Sequence, residues 1–371
     1  MTRLLMLGGG HAHLIAAPLL AKARSPEMRI TLLAPSEALL YSGMMPGWLA
    51  GQYRFEQCAI DLARASREHG IEWVRDEIVD IDFMRREAIG SGGRHPFDLL
   101  SINVGSVNEL GEIGAGAPLV LGAKPFANLV RTWDAWRDRA LAARGAQRML
   151  VVGGGAAAVE IAFALAALVR AHPALAGSEV TLATAGERLL QGMSSVAGRL
   201  SAGSLSGRGV RLRFGHRYVG AADARARFDG AEPIAADLVV VATGARPPAW
   251  LSACAARDGV ALAADGGLAI RSDLGSTSHA AVFATGDCAS FVDQRVPKSG
   301  VHALRQGPVL AANLAAAADA RERFTARRWT LALLNRCDGS AIGAWGPLGF
   351  AGRWAWNWKD RIDRRFMARF Q

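Results

Sequence analysis

The chain has 371 residues, 51% of them hydrophobic, and carries a net charge of +10 at neutral pH. This length and composition allow two or three domains with substantial cores and exclude a disordered chain. No apolar stretch approaches the roughly 18 residues that a membrane span needs, and the N-terminus lacks the pattern of a signal peptide, so we expect a cytoplasmic protein. The four cysteines stand apart from one another, a distribution that predicts neither a structural disulfide nor a metal site.

The positive charge is concentrated at the C-terminus. Seven of the ten net charges lie in residues 321–371, which also contain five of the ten tryptophans. The rest of the chain has no nucleic-acid-binding motif, so we expect no nucleic-acid partner. Basic residues interleaved with tryptophan are typical of a membrane interface. Tryptophan is also often buried, so an alternative is that the segment covers the protein's own core.

The first candidate site is a glycine turn near the N-terminus. Residues 4–7 are apolar and predict a buried parallel strand, three glycines follow at 8–10, and residues 14–23 predict a helix. A strand that turns through glycines into a helix presents backbone N–H groups and the positive end of the helix dipole, which together bind a pyrophosphate. His13 stands where the dinucleotide-binding pattern has its third glycine.

The same arrangement recurs 145 residues later. Residues 149–152 predict another buried strand, glycines follow at 153–155, and Ala158 takes the place of the third glycine, where alanine is tolerated. Two such turns indicate either two bound nucleotides or one dinucleotide-binding fold inserted in another.

Neither unit carries the acidic residue that usually ends the second strand and binds the ribose hydroxyls. In the first unit that strand is followed by Pro35 and Ser36, and Ser36 offers a weaker contact. In the second unit the strand ends at Thr184, with Arg188 four positions on. These two residues could accept a 2′-phosphate, which favours NADP over NAD.

Three further buried strands end in turns of small residues, at Gly105, Gly244 and Gly286. Asp287 follows the last of these turns, and an acid in that position can accept hydrogen bonds from sugar or ribityl hydroxyls. Lys298 precedes a predicted helix, and its ammonium group together with the helix dipole is suited to stabilise negative charge on a reduced ring system.

Other features allow two interpretations. Residues 39–51, rich in glycine and large apolar groups, either line a flat aromatic ligand or form an ordinary connection. They hold no cysteine pair, which excludes a dithiol relay there. His302 is either a proton carrier or a histidine satisfied by the backbone at a helix start. Lys124 stands out because the chain has only four lysines.

Together these residues resemble the FAD-dependent pyridine nucleotide-disulfide oxidoreductase superfamily, in its form with two dinucleotide-binding domains. Within it the chain is most similar to the group found alone or fused ahead of selenophosphate synthetase, and more distantly to type II NADH dehydrogenases and sulfide:quinone oxidoreductases. The segments that carry the match are Gly8-Gly9-Gly10-His11-Ala12-His13, Tyr41-Ser42-Gly43-Met44-Met45-Pro46-Gly47, Trp345-Gly346-Pro347 and Trp358-Lys359-Asp360-Arg361-Ile362-Asp363-Arg364-Arg365-Phe366-Met367.

The resemblance implies an α/β fold of two Rossmann-like dinucleotide-binding domains, the second inserted in the first, with a small C-terminal segment. The FAD-binding domain would comprise residues 1–120 and 275–325, and the NAD(P)-binding domain residues 145–270. Residues 326–371 would form the basic, tryptophan-rich C-terminal segment.

The resemblance also implies where the two cofactors bind. FAD would lie on the first glycine turn, with Asp287 at the ribityl chain and the helix after Lys298 at the pyrimidine end of the flavin. NAD(P)H would lie on the second turn, with Glu160 near the nicotinamide–flavin contact. The predicted cofactor-binding residues are Gly8, Gly9, Gly10, His11, His13, Pro35, Ser36, Ser42, Gly105, Gly286, Asp287, Val301, Gly153, Gly155, Ala156, Thr184, Arg188 and Gly244. The predicted catalytic residues are Glu160, Lys298 and His302.

We therefore predict an enzyme that transfers hydride from NAD(P)H to FAD and then delivers two electrons to a quinone-like or other small acceptor, without a redox-active cysteine pair. Two alternatives stay open. One is a flavoprotein partner of selenophosphate synthetase in selenium metabolism, docked through the C-terminal segment. The other is a protein that binds FAD only and has a degenerate NAD(P) site. Contact of the C-terminal segment with lipid would place the protein peripherally on the inner face of the membrane.

Overall fold

The structure, a computed structural model, describes residues 1–370, with only the backbone of Ala318. In this part of the chain the α-helices are His11–Ala23, Met45–Leu49, Phe55–Cys58, Leu62–Arg67, Phe126–Ala143, Ala156–Ala171, Ser195–Ser206, Ala249–Arg257, Gly300–Ala315 and Arg353–Met367. Short 3₁₀ turns lie at Pro173–Leu175, Gly286–Cys288 and Ala318–Ala320.

The first large sheet has five parallel strands around the N-terminal strand. Their spatial order is Val282–Ala284, Leu99–Ile102, Thr2–Leu7, Met28–Ala34 and Glu72–Arg75. Leu7 lies opposite Leu33 on one side and Ile102 on the other, so the apolar stretch is paired on both edges. Its residues 4–7 are buried, as expected for a parallel strand covered on both faces.

The second large sheet repeats this arrangement around the second glycine turn. Its five parallel strands lie in the order Leu119–Gly122, Leu238–Val241, Arg148–Val152, Glu179–Ala183 and Arg211–Arg213. In both sheets the central strand leads through glycines into a helix, His11–Ala23 or Ala156–Ala171. Each sheet therefore has one carboxyl edge at which a nucleotide can bind.

The repeat extends to the opposite edge of each sheet. Arg3 begins the first central strand, and its backbone N–H and guanidinium both donate to the carboxylate of Asp98, at 2.7–3.1 Å. Arg148 makes the same three contacts with Asp237, at 2.7–3.2 Å. Each arginine–aspartate pair fastens the central strand to the strand that follows the aspartate.

The remaining strands form small sheets around these two units. They are Ala38–Leu40 with Ala59–Asp61; Ile78–Asp82, Glu87–Gly90 and Arg94–Pro96; Val107–Asn108 with Ala245–Arg246; Glu112–Ile113, Arg217–Ala222, Arg225–Asp229 and Ala231–Ala235; and Leu268–Ile270 with Ala289–Phe291.

The units meet at positions that differ from the predicted ranges. Strand Leu119–Gly122 joins the second sheet, although the first domain was predicted to reach residue 120. Helix Ala249–Arg257 packs on the core of the first sheet, and strand Leu268–Ile270 pairs with Ala289–Phe291, although residues up to 270 were predicted in the second domain. These apolar segments fit either core by sequence, so only their packing assigns them.

The C-terminal unit is an antiparallel sheet followed by a helix. Its strands are Ala332–Asn335, Ala341–Trp345 and Leu348–Gly352, and the C-terminal helix is Arg353–Met367. Leu334, Ile342 and Met367 belong to the same core cluster as the helix of the second glycine turn. Across residues 1–370, no helix combines the length and the apolar character required to span a lipid bilayer.

Candidate functional site

The first glycine turn packs so tightly that side chains are excluded. Gly8 has a φ of +87°, and a Cβ there would lie 2.6 Å from the carbonyl oxygen of Asn103. A Cβ on Gly10 would lie 2.1 Å from Asn103 Oδ1, and one on Gly9 would lie 2.3 Å from a methyl carbon of Leu62. The turn therefore keeps bare backbone at the start of the helix, which is the geometry that binds pyrophosphate.

Asn103 is a residue of this site that sequence reasoning missed. Its Oδ1 accepts from the N–H groups of Ala12 and His13, at 3.2 and 3.4 Å, and its Nδ2 donates to the carbonyl of Thr285 at 2.8 Å. Asn103 thus ties the glycine turn to the strand Val282–Ala284. The available signal was a polar residue directly after a buried strand.

His13, at the third-glycine position, supports the turn from behind. Its Nδ1 lies 2.7 Å from the carbonyl of Gly8, and its Nε2 lies 2.8 Å from Ser101 Oγ. Burial lowers the pKa of His13 to about 4, so the ring is neutral. Both ring nitrogens are occupied by the protein, and the side chain is not free to bind a cofactor.

In contrast to His13, His11 has a ring nitrogen that makes no hydrogen bond to the described residues. Its Nε2 is buried and has no hydrogen-bond partner among the residues described, while its ring contacts that of Tyr41, with centroids 5.8 Å apart. Burial lowers the pKa of His11 to about 4, and the charges of Asp287 and Lys124 act on it in opposite directions. An unpartnered polar atom at the mouth of the glycine turn fits a site that is completed by a bound cofactor.

Asp287 lies at the same edge, after Gly286, whose φ is +70°. Its Oδ2 accepts from Lys124 Nζ at 2.5 Å and from Ser106 Oγ at 2.9 Å. Burial alone would raise the pKa of Asp287, but Lys124 and Ser106 outweigh burial and hold the pKa below its ordinary value. The group is a carboxylate and can accept from hydroxyls of a bound ligand.

The predicted catalytic residues Lys298 and His302 lie at the start of helix Gly300–Ala315. Lys298 Nζ donates to the backbone carbonyl of Asp287 at 2.9 Å and pairs with Asp265 at 2.8 Å. His302 is buried, its Nδ1 lacks a partner among the described residues, and burial lowers its pKa. Ser299 caps the helix, and Val301 beside His302 is exposed.

Four residues predicted at the FAD site make no hydrogen bond or ion pair in the described structure to the side chains of His11, Asp287, Lys124 or Lys298. Ser36 Oγ accepts from the N–H of Ala38, and Pro35 is exposed. Gly105 has a φ of +73° with open space around it. Ser42 Oγ faces Gly300, 3.6 Å from where its Cβ would be.

The second glycine turn is more open than the first. Gly153 has a φ of +136°, and a Cβ there would lie 2.6 Å from the carbonyl of Ala242. No atom lies within 4 Å of a Cβ built on Gly155 or on Gly244. Helix Ala156–Ala171 follows with its first-turn N–H groups at this open edge. The geometry leaves room for a ligand to approach the backbone.

The two residues predicted to bind a 2′-phosphate flank this turn. Thr184 is buried and its Oγ1 accepts from the N–H of Gly186 at 3.2 Å, beside Gly154. Arg188 is exposed, and its guanidinium donates to the carbonyl of Leu190 at 3.4 Å.

Glu160 faces the C-terminal unit. Its Oε1 accepts from the N–H of Asn335 at 2.7 Å. Burial raises the pKa of Glu160 to about 7, against the opposing effects of Lys359 and of the Asn335 hydrogen bond. Glu160 therefore exchanges a proton near neutral pH, which suits a general acid or base.

A buried ion pair on the C-terminal helix also escaped sequence reasoning. Lys359 Nζ donates to Asp363 Oδ2 and to the carbonyl of Gly43, both at 2.6 Å, and the two side chains are 6% and 5% exposed. Tyr41 donates its hydroxyl to Asp363 at 3.2 Å. The C-terminal helix is thus fastened to the segment of residues 41–47.

A sequence model of the pyridine nucleotide-disulphide oxidoreductase family matches residues 2–307. The chain belongs to this family. Ferroptosis suppressor protein 1 of Taeniopygia guttata is 31% identical over an alignment of 182 residues, and the match covers 45% of this chain and 45% of that protein. The match thus spans about half the length of that relative.

Two solved structures share nearly the whole fold. The sulfide:quinone oxidoreductase of Aquifex aeolicus superposes with a TM-score of 0.82 at 16% identity, over 100% of this chain and 91% of that one. NDH2 of Plasmodium falciparum, solved with NADH, gives a TM-score of 0.81 at 11% identity, over 99% of this chain and 97% of that one.

Family membership confirms the resemblance, the α/β fold with two dinucleotide-binding domains and the cofactors FAD and NAD(P)H, which this family binds. The chain thus belongs to a family of oxidoreductases. Its four cysteines are buried and unpaired, so no disulfide accompanies the site. The link to selenophosphate synthetase and the roles of individual residues stay predictions.

Proposed function

We propose that this protein passes electrons from NAD(P)H through FAD to a quinone-like or other small acceptor, without a cysteine relay. The observation that carries the proposal is the pair of glycine turns, each at the carboxyl edge of its own parallel sheet. Flavin bound at the first turn would accept hydride from NAD(P)H and release electrons two at a time.

Different residues around the first turn would bind different parts of FAD. The bare backbone at Gly8 and Gly10 would hold the FAD pyrophosphate, with His11 Nε2 as a further polar contact. The Asp287 carboxylate would accept from the ribityl hydroxyls, and Lys298 with the start of helix Gly300–Ala315 would bring positive charge to the pyrimidine end.

Glu160 would hold or deliver a proton beside the nicotinamide, since its pKa of about 7 leaves both protonation states populated at neutral pH. The four buried cysteines offer no exposed dithiol, so the acceptor has to take electrons directly from the flavin site. Sulfide:quinone oxidoreductase, named for a quinone, shares this fold and supports a quinone-like acceptor.

The test is the absorption spectrum of the purified protein before and after anaerobic addition of NADH or NADPH. We expect a flavin spectrum that bleaches with at least one of the two. A yellow protein whose spectrum ignores both nucleotides would instead support FAD binding with a degenerate NAD(P) site. In that case NADPH would also fail to raise the melting temperature.

NADPH is the nucleotide that we propose for the second turn. No acid follows the strand Glu179–Ala183, and Thr184 with the exposed Arg188 can accept a 2′-phosphate. Arg188→Ala should lower kcat/KM for NADPH about tenfold and leave that for NADH nearly unchanged. Equal losses with both nucleotides would contradict this assignment.

The C-terminal helix supports a second proposal, peripheral membrane contact. Trp354, Trp358 and Ile362 recur every four residues along one exposed face, at 55%, 43% and 43% exposure. Arginines flank them, as in helices that lie in a lipid interface. Co-sedimentation with anionic vesicles should fall at high salt and in Trp354→Ser/Trp358→Ser. Binding to selenophosphate synthetase instead of vesicles would favour the alternative partner.

A further inference from the structure

Lys124 connects the two nucleotide-binding edges. It follows strand Leu119–Gly122, an outer strand of the second sheet. Its ammonium group reaches the carboxylate of Asp287 at 2.5 Å, and Asp287 follows strand Val282–Ala284, an outer strand of the first sheet. One ion pair therefore joins the carboxyl ends of two different sheets.

The backbone of Lys124 is held from the second edge. Its N–H donates to Asn108 Oδ1 at 2.7 Å, and Asn108 Nδ2 donates to the carbonyl of Thr243 at 2.6 Å. Thr243 and Gly244 follow strand Leu238–Val241, beside the second glycine turn. Lys124 is thus anchored at one nucleotide-binding edge while its charge acts at the other.

The other charges around Asp287 do not replace this ammonium group. Lys298 donates to the backbone carbonyl of Asp287 and forms an ion pair with the carboxylate of Asp265. The His11 ring is neutral at pH 7 because burial lowers its pKa to about 4. The Cys288 thiol is buried, and burial raises its pKa to about 11, so it is uncharged too. Lys124 alone among these groups is paired with the Asp287 carboxylate itself, whose side chain is 12% exposed.

We infer that Lys124 is a positioning residue that acts through Asp287: it holds this carboxylate oriented and neutralised at the flavin site and thereby sets the reduction potential of the bound flavin. The inference rests on the proposed function. Without Lys124 the site loses a positive charge, and a site that is less positive disfavours the negative charge that a flavin gains on reduction.

The test compares Lys124→Met and Lys124→Arg with Lys22→Met. Lys22→Met removes the same charge as Lys124→Met. Lys22 is exposed at the far end of helix His11–Ala23, about 16 Å along the helix axis from His11, so its loss should not act on the flavin site. In Lys124→Met we expect a lower flavin midpoint potential, with the ratio of reduced to oxidised flavin at a fixed NADPH/NADP ratio falling roughly tenfold. Lys124→Arg should restore most of the potential, and Lys22→Met should leave it unchanged.

The pH dependence separates positioning from a merely structural role. Burial raises the pKa of Asp287 and Lys124 is the main group that lowers it, so in Lys124→Met the carboxylate should bind a proton at higher pH than in the wild type. The flavin potential of Lys124→Met should therefore depend on pH more strongly than the wild-type potential does. A melting temperature that drops while the potential and its pH dependence stay wild-type would overturn the inference. If Lys124→Met does not retain flavin, Lys124→Gln removes the same charge with less disruption and is judged by the same two measurements.

Failure of the inference can be distinguished from failure of the proposed function. A wild-type protein without flavin, or one that no pyridine nucleotide reduces, sinks the proposed function itself. A flavoprotein that NAD(P)H reduces normally, and whose potential is the same in Lys124→Met, sinks only the role of Lys124.

Discussion

At the scale of single residues, burial decides which groups can exchange protons near neutral pH. Glu160, His11 and His302 all have shifted pKa values, and in each case burial is the largest cause. Burial keeps the two histidines neutral, so they can offer hydrogen bonds but little charge. The same effect keeps Glu160 partly protonated at pH 7, which makes it the strongest candidate for a proton donor or acceptor.

Glu160→Gln should make the free energy of unfolding less dependent on pH and should stabilise the protein at alkaline pH. The native carboxyl, with a pKa of about 7, binds a proton that the unfolded chain releases near pH 4, so native stability falls as the pH rises through this window. At pH 8 the variant should unfold with a free energy about 3 kcal/mol higher than wild type, measured in urea, and at pH 4 the two should agree.

The rate of NAD(P)H oxidation should also lose its inflection near pH 7 in this variant. The exposed Glu232→Gln serves as a control with the same change of charge. An inflection that persists in Glu160→Gln would assign the titration to another group.

At the scale of elements, the two glycine turns share the same strand–turn–helix arrangement but differ in the space around their glycines. The first is packed against Asn103 and Leu62, and the second leaves Gly155 with no neighbour within 4 Å. The same substitution therefore has opposite consequences in the two turns, although the sequence pattern is nearly identical.

Gly10→Ala should abolish flavin binding, and Gly155→Ala should not. The added methyl carbon at Gly10 would lie 2.1 Å from Asn103 Oδ1, so either the turn or the asparagine has to move. At Gly155 the methyl group enters open space at a φ of −83°, which alanine adopts readily. Flavin content per chain measures the loss at Gly10, and the melting temperatures of both purified variants measure the difference in packing between the two turns. Comparable flavin content in both would show that the first turn adapts.

The C-terminal helix has one buried face and one exposed face. Its buried face carries the Lys359–Asp363 pair against Gly43 and Tyr41, and its exposed face carries tryptophans. The sequence had left open whether this segment covers the core or contacts a partner. One face packs on the protein, and the other stays available.

Lys359→Met should destabilise the protein by about 3 kcal/mol, because it leaves the Asp363 carboxylate buried without its cation. Arg364→Met is the matched control on the same helix, since Arg364 pairs with Asp360 at a largely exposed position and should cost less than about 1 kcal/mol. Urea denaturation compares the two. The double variant Lys359→Met/Asp363→Leu should regain much of the loss, and equal costs for Lys359→Met and Arg364→Met would contradict this account.

At the scale of the whole molecule, the chain contains one architectural unit twice. The order of four strands, the glycine turn and the arginine–aspartate pair at the opposite edge all recur. The fifth, outer strand differs: Val282–Ala284 follows the other four along the chain, whereas Leu119–Gly122 precedes its four. Arg3 lowers the pKa of Asp98 to about 2, and Arg148 lowers that of Asp237. The contribution of each pair to stability is present above the unfolded-state pKa of aspartate and is lost as the pH falls through the native pKa.

Asp98→Asn and Asp237→Asn should each cost about 1 kcal/mol at pH 7, a modest value because both pairs are partly exposed. The pairs lie in separate sheets and share no partner, so the double variant should lose the sum of the two within about 0.5 kcal/mol. Guanidinium denaturation at pH 7 and pH 3 provides the comparison, and the losses should shrink at the lower pH. A double variant much less stable than the sum would indicate that the sheets unfold as one coupled unit.

Much of this architecture was predictable because it depends on local order along the chain. Apolar stretches that lead through glycines into helices specify both nucleotide turns, and the absence of paired cysteines specifies a site without a dithiol. Family membership confirms the fold that these patterns predicted and the cofactors that the resemblance implied.

Only the tertiary structure decided which distant residues meet. Asn103 at the first turn, Asn335 on Glu160, Lys359 beneath Gly43 and Lys124 on Asp287 are contacts between residues 91 to 316 positions apart. Hydrophobic periodicity and turn residues carry no information about such pairings, since any lysine could in principle reach any carboxylate. The way the two sheets and the C-terminal helix pack selects among them, and burial then fixes their charges.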